Sequence, residues 1–241
     1  SGRTSDTFIY NMTAAPWWNN WEATRYSNME DMAVEGMNSG MAQTYYPSFT
    51  NYVEGIYVGY KYYETADDDG KIDYDATVQY PFGYGLSYTT FTQEMSNLTV
   101  KDGEITFDVT VTNTGDVAGK DVVEIYYNPP YTNGGIEKAT ANLIDFEKTQ
   151  MLEPGASETI TITFDAEDMA SYDMSGDGCY VLEQGDYAIS VNSDSHTVLD
   201  QQIYTQDETV RYEGDNKRES DQIAATNQFE DVAGDVTYLS R

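Results

Sequence analysis

The sequence predicts a mainly β protein in which an antiparallel β-sandwich is preceded by a mixed helical segment and followed by an extended linker. From residue 94 onward, apolar and polar residues alternate as in half-buried antiparallel strands, for example in ITFDVTV at 105–111 and ITITF at 160–164. Turn signals separate these runs, among them Asp102-Gly103 and Glu153-Pro154-Gly155, at a spacing typical of a β-sandwich. We therefore expect one all-β domain at 94–204.

Composition excludes several kinds of partner. The chain has 42 acidic and 12 basic side chains, a formal net charge of -30, which repels a phosphate backbone or an anionic bilayer. We therefore expect no nucleic-acid partner, and the lack of a run of about 18 apolar residues indicates no membrane insertion. The single Cys179 and single His196 cannot form an intrachain disulfide or a structural zinc site, so the sequence predicts no metal and no cofactor. We interpret both as packing or surface residues rather than as a catalytic pair.

The stretch 80–91, YPFGYGLSYTTF, marks the change from the mixed segment to strands. Pro81 fixes one backbone dihedral angle, and Gly83 and Gly85 permit positive φ, so the segment is expected to turn tightly beneath packed aromatic rings. This dodecamer resembles the junction of family 3 glycoside hydrolases, the β-glucosidases and β-xylosidases, in which an α/β sandwich domain passes into a fibronectin type III-like domain. We expect residues 80–93 to form that junction.

The same resemblance extends to both sides of the junction. Before it, 1–10 resembles a loop and strand of the family, and 52–64 resembles the segment that closes its α/β sandwich domain. After it, VTNTG at 111–115 resembles part of the fibronectin type III-like domain. The resemblance implies a remnant of the α/β sandwich domain at 1–79, followed by a fibronectin III or immunoglobulin-like β-sandwich at 94–204.

The last segment, 205–241, loses the alternation and is expected to be a linker. In most members of the family a (β/α)8 barrel precedes the sandwich domain, whereas a reversed bacterial subgroup places the barrel last. The resemblance implies that 205–241 leads towards such a missing barrel, so that both termini are internal to a longer enzyme. Acidity and few lysines give the only indication of localisation, a secreted or cell-surface bacterial enzyme.

The resemblance also implies the chemistry of the parent enzyme, a glycoside hydrolase that cleaves terminal β-glucosides or β-xylosides with retention. Its nucleophilic Asp belongs to the barrel and its acid/base Glu to an upstream part of the sandwich domain, and neither motif is matched here. Because double displacement needs both carboxylates, we predict no catalytic residue in this chain, and we interpret Glu54 as structural. The expected role is a non-catalytic accessory region that braces the catalytic domains. Its partners would be the barrel, the rest of the α/β sandwich domain and, through the parent, an oligosaccharide.

Three tryptophans near the start are the candidate substrate-binding residues. Trp17, Trp18 and Trp21 lie beside asparagines in PWWNNW at 16–21, and such rings can stack on a sugar while the amides bond its hydroxyls. The alternative is that they pin a loop onto a neighbouring domain, since tryptophan is mostly buried. For the whole chain, the alternative function is a stand-alone binding or self-assembly module, because exposed sandwich edges can pair with other chains.

Shorter segments give weaker patterns. Apolar residues spaced through 29–41 indicate a short helix or an irregular excursion. The acidic run at 67–73 lacks the last glutamate of an EF-hand and indicates a solvated turn. Tyr126, Tyr127 and Tyr131 suggest carbohydrate binding by the sandwich itself, although tyrosines around a loop more often pack it.

Overall fold

The computed structural model describes residues 2–20, 24–175, 178–223, 232 and 235–241. The protein is mainly β, as the sequence predicts, with a small helical unit before the β-sandwich. Within these residues, no helix is long and apolar enough to cross a membrane. In the same part of the chain, no group of three His, Cys, Asp or Glu side chains could hold a metal ion.

The N-terminal unit combines two short helices with six short strands. Its strands are β1 (Phe8–Ile9), β2 (Thr24–Arg25), β3 (Val34–Asn38), β4 (Met41–Tyr45), β5 (Ser48–Phe49) and β6 (Val78–Tyr80). Helix α1 spans Tyr60–Asp68, and α2 spans Tyr74–Thr77. Asp73 caps α2, because its side chain accepts a hydrogen bond from the backbone N of Ala76 at 3.2 Å.

Antiparallel pairs and one apolar cluster hold this unit together. β1 pairs with β6, β2 with β5 and β3 with β4. Buried Tyr63, Tyr74 and Val78 pack side by side and join α1, α2 and β6. Three buried residues are too small a core for independent stability, so the unit depends on its contacts with the sandwich.

The stretch 29–41 is where local structure departs from the expected helix or irregular excursion. A single 3₁₀ turn at Met29–Met32 is followed by the β3–β4 hairpin, whose connecting Ser39 and Gly40 have φ values of 51° and 83°. Positive φ at both central positions is what a type I′ hairpin turn requires. This turn chemistry outweighs the weak helical spacing of the apolar residues.

Eleven further strands follow the junction. They are β7 (Phe91–Met95), β8 (Thr99–Lys101), β9 (Glu104–Asn113), β10 (Val122–Asn128), β11 (Asn142–Lys148), β12 (Ser157–Asp165), β13 (Ser171–Asp173), β14 (Cys179–Leu182), β15 (Gly185–Asn192), β16 (Val198–Gln206) and β17 (Val210–Tyr212). One sheet of the sandwich has the order β11-β10-β15-β16. In the other sheet β9 lies between β12 and β7, and it also pairs with β8.

Strand β9 shows why this sequence forms a sandwich. Ile105, Phe107, Val109 and Val111 are at most 2% exposed and pack against the apolar residues of the facing sheet. The threonines between them lie on the outer face, where their hydroxyls contact threonines of β12. The alternation of apolar and polar residues thus gives the strand one face in the core and one face towards solvent.

Strand pairing continues past the expected start of the linker at 205. β16 runs to Gln206, and β17 joins a small third sheet of order β13-β14-β17. Beyond it, the Arg218 guanidinium lies 3.6 Å from the centre of the Tyr180 ring and forms an ion pair with Asp221. The first part of the tail therefore packs on the sandwich.

Candidate functional site

Long-range hydrogen bonds and ion pairs join the helical unit to the sandwich. Arg3 lies at the centre of this joint: its guanidinium donates to the carbonyl oxygen of Gly83 at 2.9 Å, to the carbonyl of Ser193, and to Asp121 at 2.8 Å. A second carboxylate, that of Glu124, lies 3.7 Å away. The Arg3 side chain thus links the start of the chain to the junction, to β10 with the residue just before it, and to the β15–β16 loop.

The junction turns beneath this arginine, as its sequence predicts. Gly83 has a φ of 82° and donates to the carbonyl of Thr4 at 2.9 Å, while Thr4 donates back to the carbonyl of Tyr84 at 2.8 Å. The Phe82 ring stacks on Tyr60 of α1 with centroids 4.8 Å apart. The turn is therefore held by backbone bonds on one side and by ring packing on the other.

Space at Gly83 is occupied by the carboxylate of Glu124. A Cβ at this glycine would lie 2.4 Å from Glu124 Oε2. Non-bonded carbon and oxygen atoms do not approach so closely, so the Glu124 side chain would have to move. Burial raises the pKa of Glu124 to about 7, against the opposing effects of the Arg3 guanidinium and of the Tyr126 hydroxyl, which donates to it at 3.0 Å. The position of the Glu124 carboxylate therefore requires a residue without a side chain at position 83.

Helix α1 docks on the sandwich through polar groups at its buried face. The hydroxyl of Tyr60 accepts from the backbone N of Leu143 at 3.0 Å, and that of Thr65 accepts from the backbone N of Thr140 at 3.0 Å. Both bonds satisfy backbone donors beside the edge strand β11, which would otherwise be buried without partners. The contact fixes how the helix lies on the sheet.

A second cluster on the same face surrounds the buried Glu64. Its Oε1 accepts hydrogen bonds from the hydroxyls of Tyr74 at 2.6 Å and Ser195 at 2.7 Å, and its Oε2 lies 2.8 Å from Nδ1 of His196. The imidazole also stacks on the Tyr74 ring, with centroids 3.6 Å apart and planes 8° from parallel. Residues of α1, α2 and the β15–β16 loop therefore meet at one carboxylate.

This cluster makes the stability of the joint depend on pH, because His196 can be protonated. The hydrogen bond that the His196 ring donates to the Glu64 carboxylate raises the pKa of His196 above 6.5. Burial opposes this shift, and the charges of Glu64, Asp67 and Asp194 raise the pKa further. A raised pKa in the folded state means that the stabilisation is complete below 6.5 and is lost as the pH rises through the folded value. We expect the free energy of unfolding to fall across that window.

His196→Phe tests this expectation, because phenylalanine keeps the stacked ring and cannot be protonated. Urea unfolding across neutral pH should show a smaller decline for the variant than for the unaltered chain. His196 is the only histidine in the sequence, so no other imidazole contributes to the difference. Equal slopes in the two proteins would show that the ion pair does not stabilise the joint.

The end of the chain forms a third tie. The backbone N of Leu239 donates to the carbonyl of Val53 at 2.7 Å, and the Arg241 guanidinium bonds both oxygens of Asp69, at 2.8 and 2.9 Å. The same guanidinium lies 4.2 Å from the centre of the Tyr131 ring on the sandwich. The last residues thus connect the end of α1 with a sandwich loop.

The tryptophan loop lies apart from the residues of the joint. Trp17 and Trp18 occupy turns after the 3₁₀ segment at Met12–Ala14, with Trp17 39% exposed and Trp18 half-buried. The backbone of Trp17 accepts a bond from Asn20 N at 2.9 Å, which closes the turn. Trp21 falls outside the described residues. A substrate-binding role for the three rings stays a prediction.

The remaining candidates occupy structural positions. Sγ of Cys179 lies 3.1 Å from Nη2 of Arg211 on the neighbouring strand, and burial raises the pKa of this thiol, which makes it a poor nucleophile. His196 is engaged at the joint instead. Tyr126 is buried with its hydroxyl on Glu124, and Tyr131 lies beneath Arg241, so both pack the structure.

Sequence reasoning did not select Arg3, Glu64 or Arg241 as functional. Arg3 and Glu64 lie within segments that resemble the glycosidase family, and the tyrosines at 60, 62 and 63 beside Glu64 are a signal of a packed surface. Their partners are more than a hundred residues away in the sequence. Arg241 had no such signal, because nothing around it repeats or alternates.

Comparisons with known proteins agree with this architecture. The family described as fibronectin type III-like domain matches residues 121–195. β-Glucosidase A of Butyrivibrio fibrisolvens is 40% identical over 158 residues, which cover 58% of this chain and 18% of that protein. The crystal structure of a family 3 β-glucosidase from Bifidobacterium adolescentis superimposes with a TM-score of 0.63 and 27% identity, covering 86% of this chain and 26% of that one.

The chain is similar to the C-terminal region of family 3 β-glucosidases, and its residues 121–195 match a fibronectin type III-like domain. A β-glucosidase from Paenibacillus barengoltzii gives a TM-score of 0.67 at 30% identity, with 88% of this chain and 21% of that one covered. The chain therefore spans about a fifth of the length of these curated relatives and of the Paenibacillus barengoltzii structure.

Proposed function

We propose that this chain is the non-catalytic accessory region of a family 3 β-glycosidase and that it braces the catalytic domains. The observation that supports the proposal is the four-way contact of Arg3 with the junction, two carboxylates and the β15–β16 loop. A brace must fix the angle between two units, and bonds that converge on one half-buried side chain restrict that angle more than a flexible connection does. The contacts of Glu64 with the β15–β16 loop and of Arg241 with Asp69 and Tyr131 also restrict that angle.

The proposal includes a division of the chain. Residues 1–79 are the end of the α/β sandwich domain, 80–93 the junction, 94–204 the fibronectin type III-like domain and 205–241 the connection to a (β/α)8 barrel in the reversed, bacterial order. The relatives offer room for such further domains, since this chain covers 18% of the curated β-glucosidases of Butyrivibrio fibrisolvens and Ruminococcus albus. The parent enzyme would hydrolyse terminal β-glucosides or β-xylosides.

The isolated chain should have no glycosidase activity. Retaining hydrolysis needs a nucleophilic carboxylate and an acid/base carboxylate about 5 Å apart across the scissile bond, and the proposal assigns both to other domains of the parent. We expect aryl β-glucoside and aryl β-xyloside to release no more phenol than with a heat-killed sample. Turnover above that control would contradict an accessory role.

The bracing role is tested in the parent enzyme by Arg3→Met. If this region braces the catalytic domains, heat should inactivate the variant sooner, while kcat/KM of the enzyme that survives stays the same. Arg25→Met, at an exposed arginine over the Tyr46 ring, is the matched control and should leave the inactivation rate unchanged. Equal half-lives for Arg3→Met and the unaltered enzyme would contradict bracing.

One observation favours the second candidate function, a self-assembly module. The β3–β4 hairpin exposes Val34, Met37 and Met41 to 63%, 67% and 71%, and its two strands pair with each other alone among the described residues. The outer edge of each strand is left open, and an apolar hairpin with open edges can add to another chain. Size-exclusion chromatography separates the two functions: a discrete monomer supports the accessory region, and a large regular species supports assembly.

The tryptophan loop belongs to the proposed function as well. We assign Trp17, Trp18 and Trp21 to the edge of the sugar site of the parent enzyme. Support comes from the exposure of Trp17, which leaves part of an aromatic ring open to a ligand.

A further inference from the structure

A groove lies beside the junction, next to the edge strand β11 of the sandwich. It has a volume of about 310 Å³. Its lining includes Leu86 and Ser87 of the junction, Lys120 just before β10, and Lys148 at the end of β11. Arg3 lines it as well, so the groove adjoins the contacts that hold the joint.

The two lysines of the groove are exposed and unpaired. Among the described residues, no ion pair includes Lys120 or Lys148. The carboxylates that share the lining are engaged elsewhere: Asp121 accepts from Arg3 at 2.8 Å, and Asp194 accepts from two backbone N–H groups of its own loop at 3.1 and 2.8 Å. The groove thus offers two uncompensated cations on a chain whose formal net charge is -30.

Exposed aromatic rings flank these cations. Tyr88 follows Ser87 of the lining and is 95% exposed, and Phe146 is 64% exposed. Phe146 lies two residues before Lys148 on the same face of β11, directly opposite Glu124 of β10. Aromatic side chains are enriched where proteins meet, within a rim of polar groups. The surface therefore suits a protein partner that presents apolar side chains together with carboxylates.

A domain of the same polypeptide fits this surface better than a second copy of the chain does. The chain covers 18% of β-glucosidase A of Butyrivibrio fibrisolvens, so most of that relative's length lies outside the matched region. A second copy would bring the same net charge of -30, and the repulsion opposes its approach. A tethered domain instead has a millimolar effective concentration when its linker is short, so a small contact is enough to hold it.

We propose that the groove is the docking site for an acidic segment of the parent enzyme that lies outside these 241 residues. Carboxylates of that segment pair with Lys120 and Lys148, and its apolar side chains cover Tyr88 and Phe146. The inference rests on the proposed function, because the partner is another domain of the same enzyme. It assigns the surface through which the brace contacts the rest of the parent.

Lysine acetylation followed by mass spectrometry tests the docking directly. An amine-reactive acetyl ester should modify Lys120 and Lys148 several-fold more slowly in the parent enzyme than in the 241-residue chain, because the docked segment covers their amines. Lys101, exposed at the end of β8 and outside the lining, is the matched control and should react equally in both proteins. Equal rates at the groove lysines in the two proteins would overturn the proposal. Protection within the isolated chain that disappears on dilution would place a second copy in the groove and would overturn it too.

Variants show whether the groove contributes to holding the parent together. Lys120→Gln combined with Lys148→Gln, and separately Tyr88→Ser, should shorten the half-life of the parent at raised temperature several-fold. The urea midpoint of the 241-residue chain should stay the same, because these side chains are exposed in it. Lys101→Gln should change neither quantity. Unchanged half-lives of the parent for both groove variants would overturn the docking.

The outcomes separate this inference from the proposed function. Slower acetylation of the groove lysines in a parent that hydrolyses no β-glycoside would contradict the β-glycosidase assignment and support the docking. Faster heat inactivation of Arg3→Met, together with equal acetylation of Lys120 and Lys148 in chain and parent, would support bracing and overturn the docking alone.

Discussion

Replacing Arg3 by methionine should destabilise the chain by about 2 kcal/mol, because its ion pairs are partly buried. This lies between the contribution of an exposed pair, about 0–1 kcal/mol, and the cost of breaking a buried one, about 3–5 kcal/mol. Methionine keeps much of the arginine's aliphatic volume, so the loss comes mainly from electrostatics and hydrogen bonds. Asp121 and Glu124, whose side chains are 15% and 6% exposed, would lose their cation, and the carbonyls of Gly83 and Ser193 would lose a donor. Urea unfolding measures the change in the free energy of unfolding.

The loss caused by Arg3→Met should depend on pH through Glu124. The unfolded chain ionises this carboxyl near its ordinary value of 4.5, whereas the folded chain holds the proton to about 7, so ionisation disfavours the fold within that window. Without the guanidinium the folded pKa rises further. We therefore expect the variant to lose more stability at about pH 8 than at about pH 5.

Arg25→Met is the control for this experiment as well. Arg25 is exposed, lies 5.5 Å from the centre of the Tyr46 ring and bonds the Tyr46 carbonyl at 3.2 Å. Surface substitutions of this kind change stability by about 0.5 kcal/mol or less. A similar small effect at both arginines, without pH dependence, would show that the Arg3 cluster does not hold the joint.

The sandwich could be predicted from sequence because its determinants are local. The alternation of Ile105, Phe107, Val109 and Val111 with threonine and aspartate assigns each side chain to a face before any partner strand is known. Turn residues such as Asp102-Gly103, where φ is 52° and 90°, then place the ends of the strands. The alternation and the turn residues predict the same strands, and this agreement makes the β-sandwich predictable from the sequence.

The joint could not be predicted because its determinants are long-range. The Glu64 carboxylate meets Ser195 and His196 across more than 130 positions, and no local period encodes that meeting. Charge alone did not help, since Glu64 is one of 42 acidic residues. The buried position that gives this glutamate its role arises only when α1 docks on the sandwich.

Gly83→Ala should be the other strongly destabilising single substitution, at about 3 kcal/mol in sum. An alanine at a φ of 82° costs about 1–2 kcal/mol, because its Cβ crowds the carbonyl oxygen in the left-handed region. The remainder comes from Glu124, which the new methyl group would displace from a contact of 2.4 Å and thus from the Tyr126 hydroxyl, at a cost of about 1–3 kcal/mol for a buried group left unsatisfied.

Gly155→Ala isolates the conformational part of this cost. Gly155 has a φ of 77°, close to that of Gly83, but a Cβ there would meet no atom within 4 Å. Its alanine variant should lose only about 1–2 kcal/mol in thermal or urea unfolding. Equal losses at the two glycines would mean that Glu124 yields without cost and that the junction is not closely packed.

The steric part can be assigned to Glu124 by a double-mutant cycle. Glu124→Ala removes the carboxylate that the methyl group would strike, so Gly83→Ala should cost less in that background than in the unaltered chain. The coupling between two residues in contact is expected to be about 1–2 kcal/mol. Such coupling would show that Gly83 is required at this position because Glu124 of β10 occupies the space that a side chain there would need.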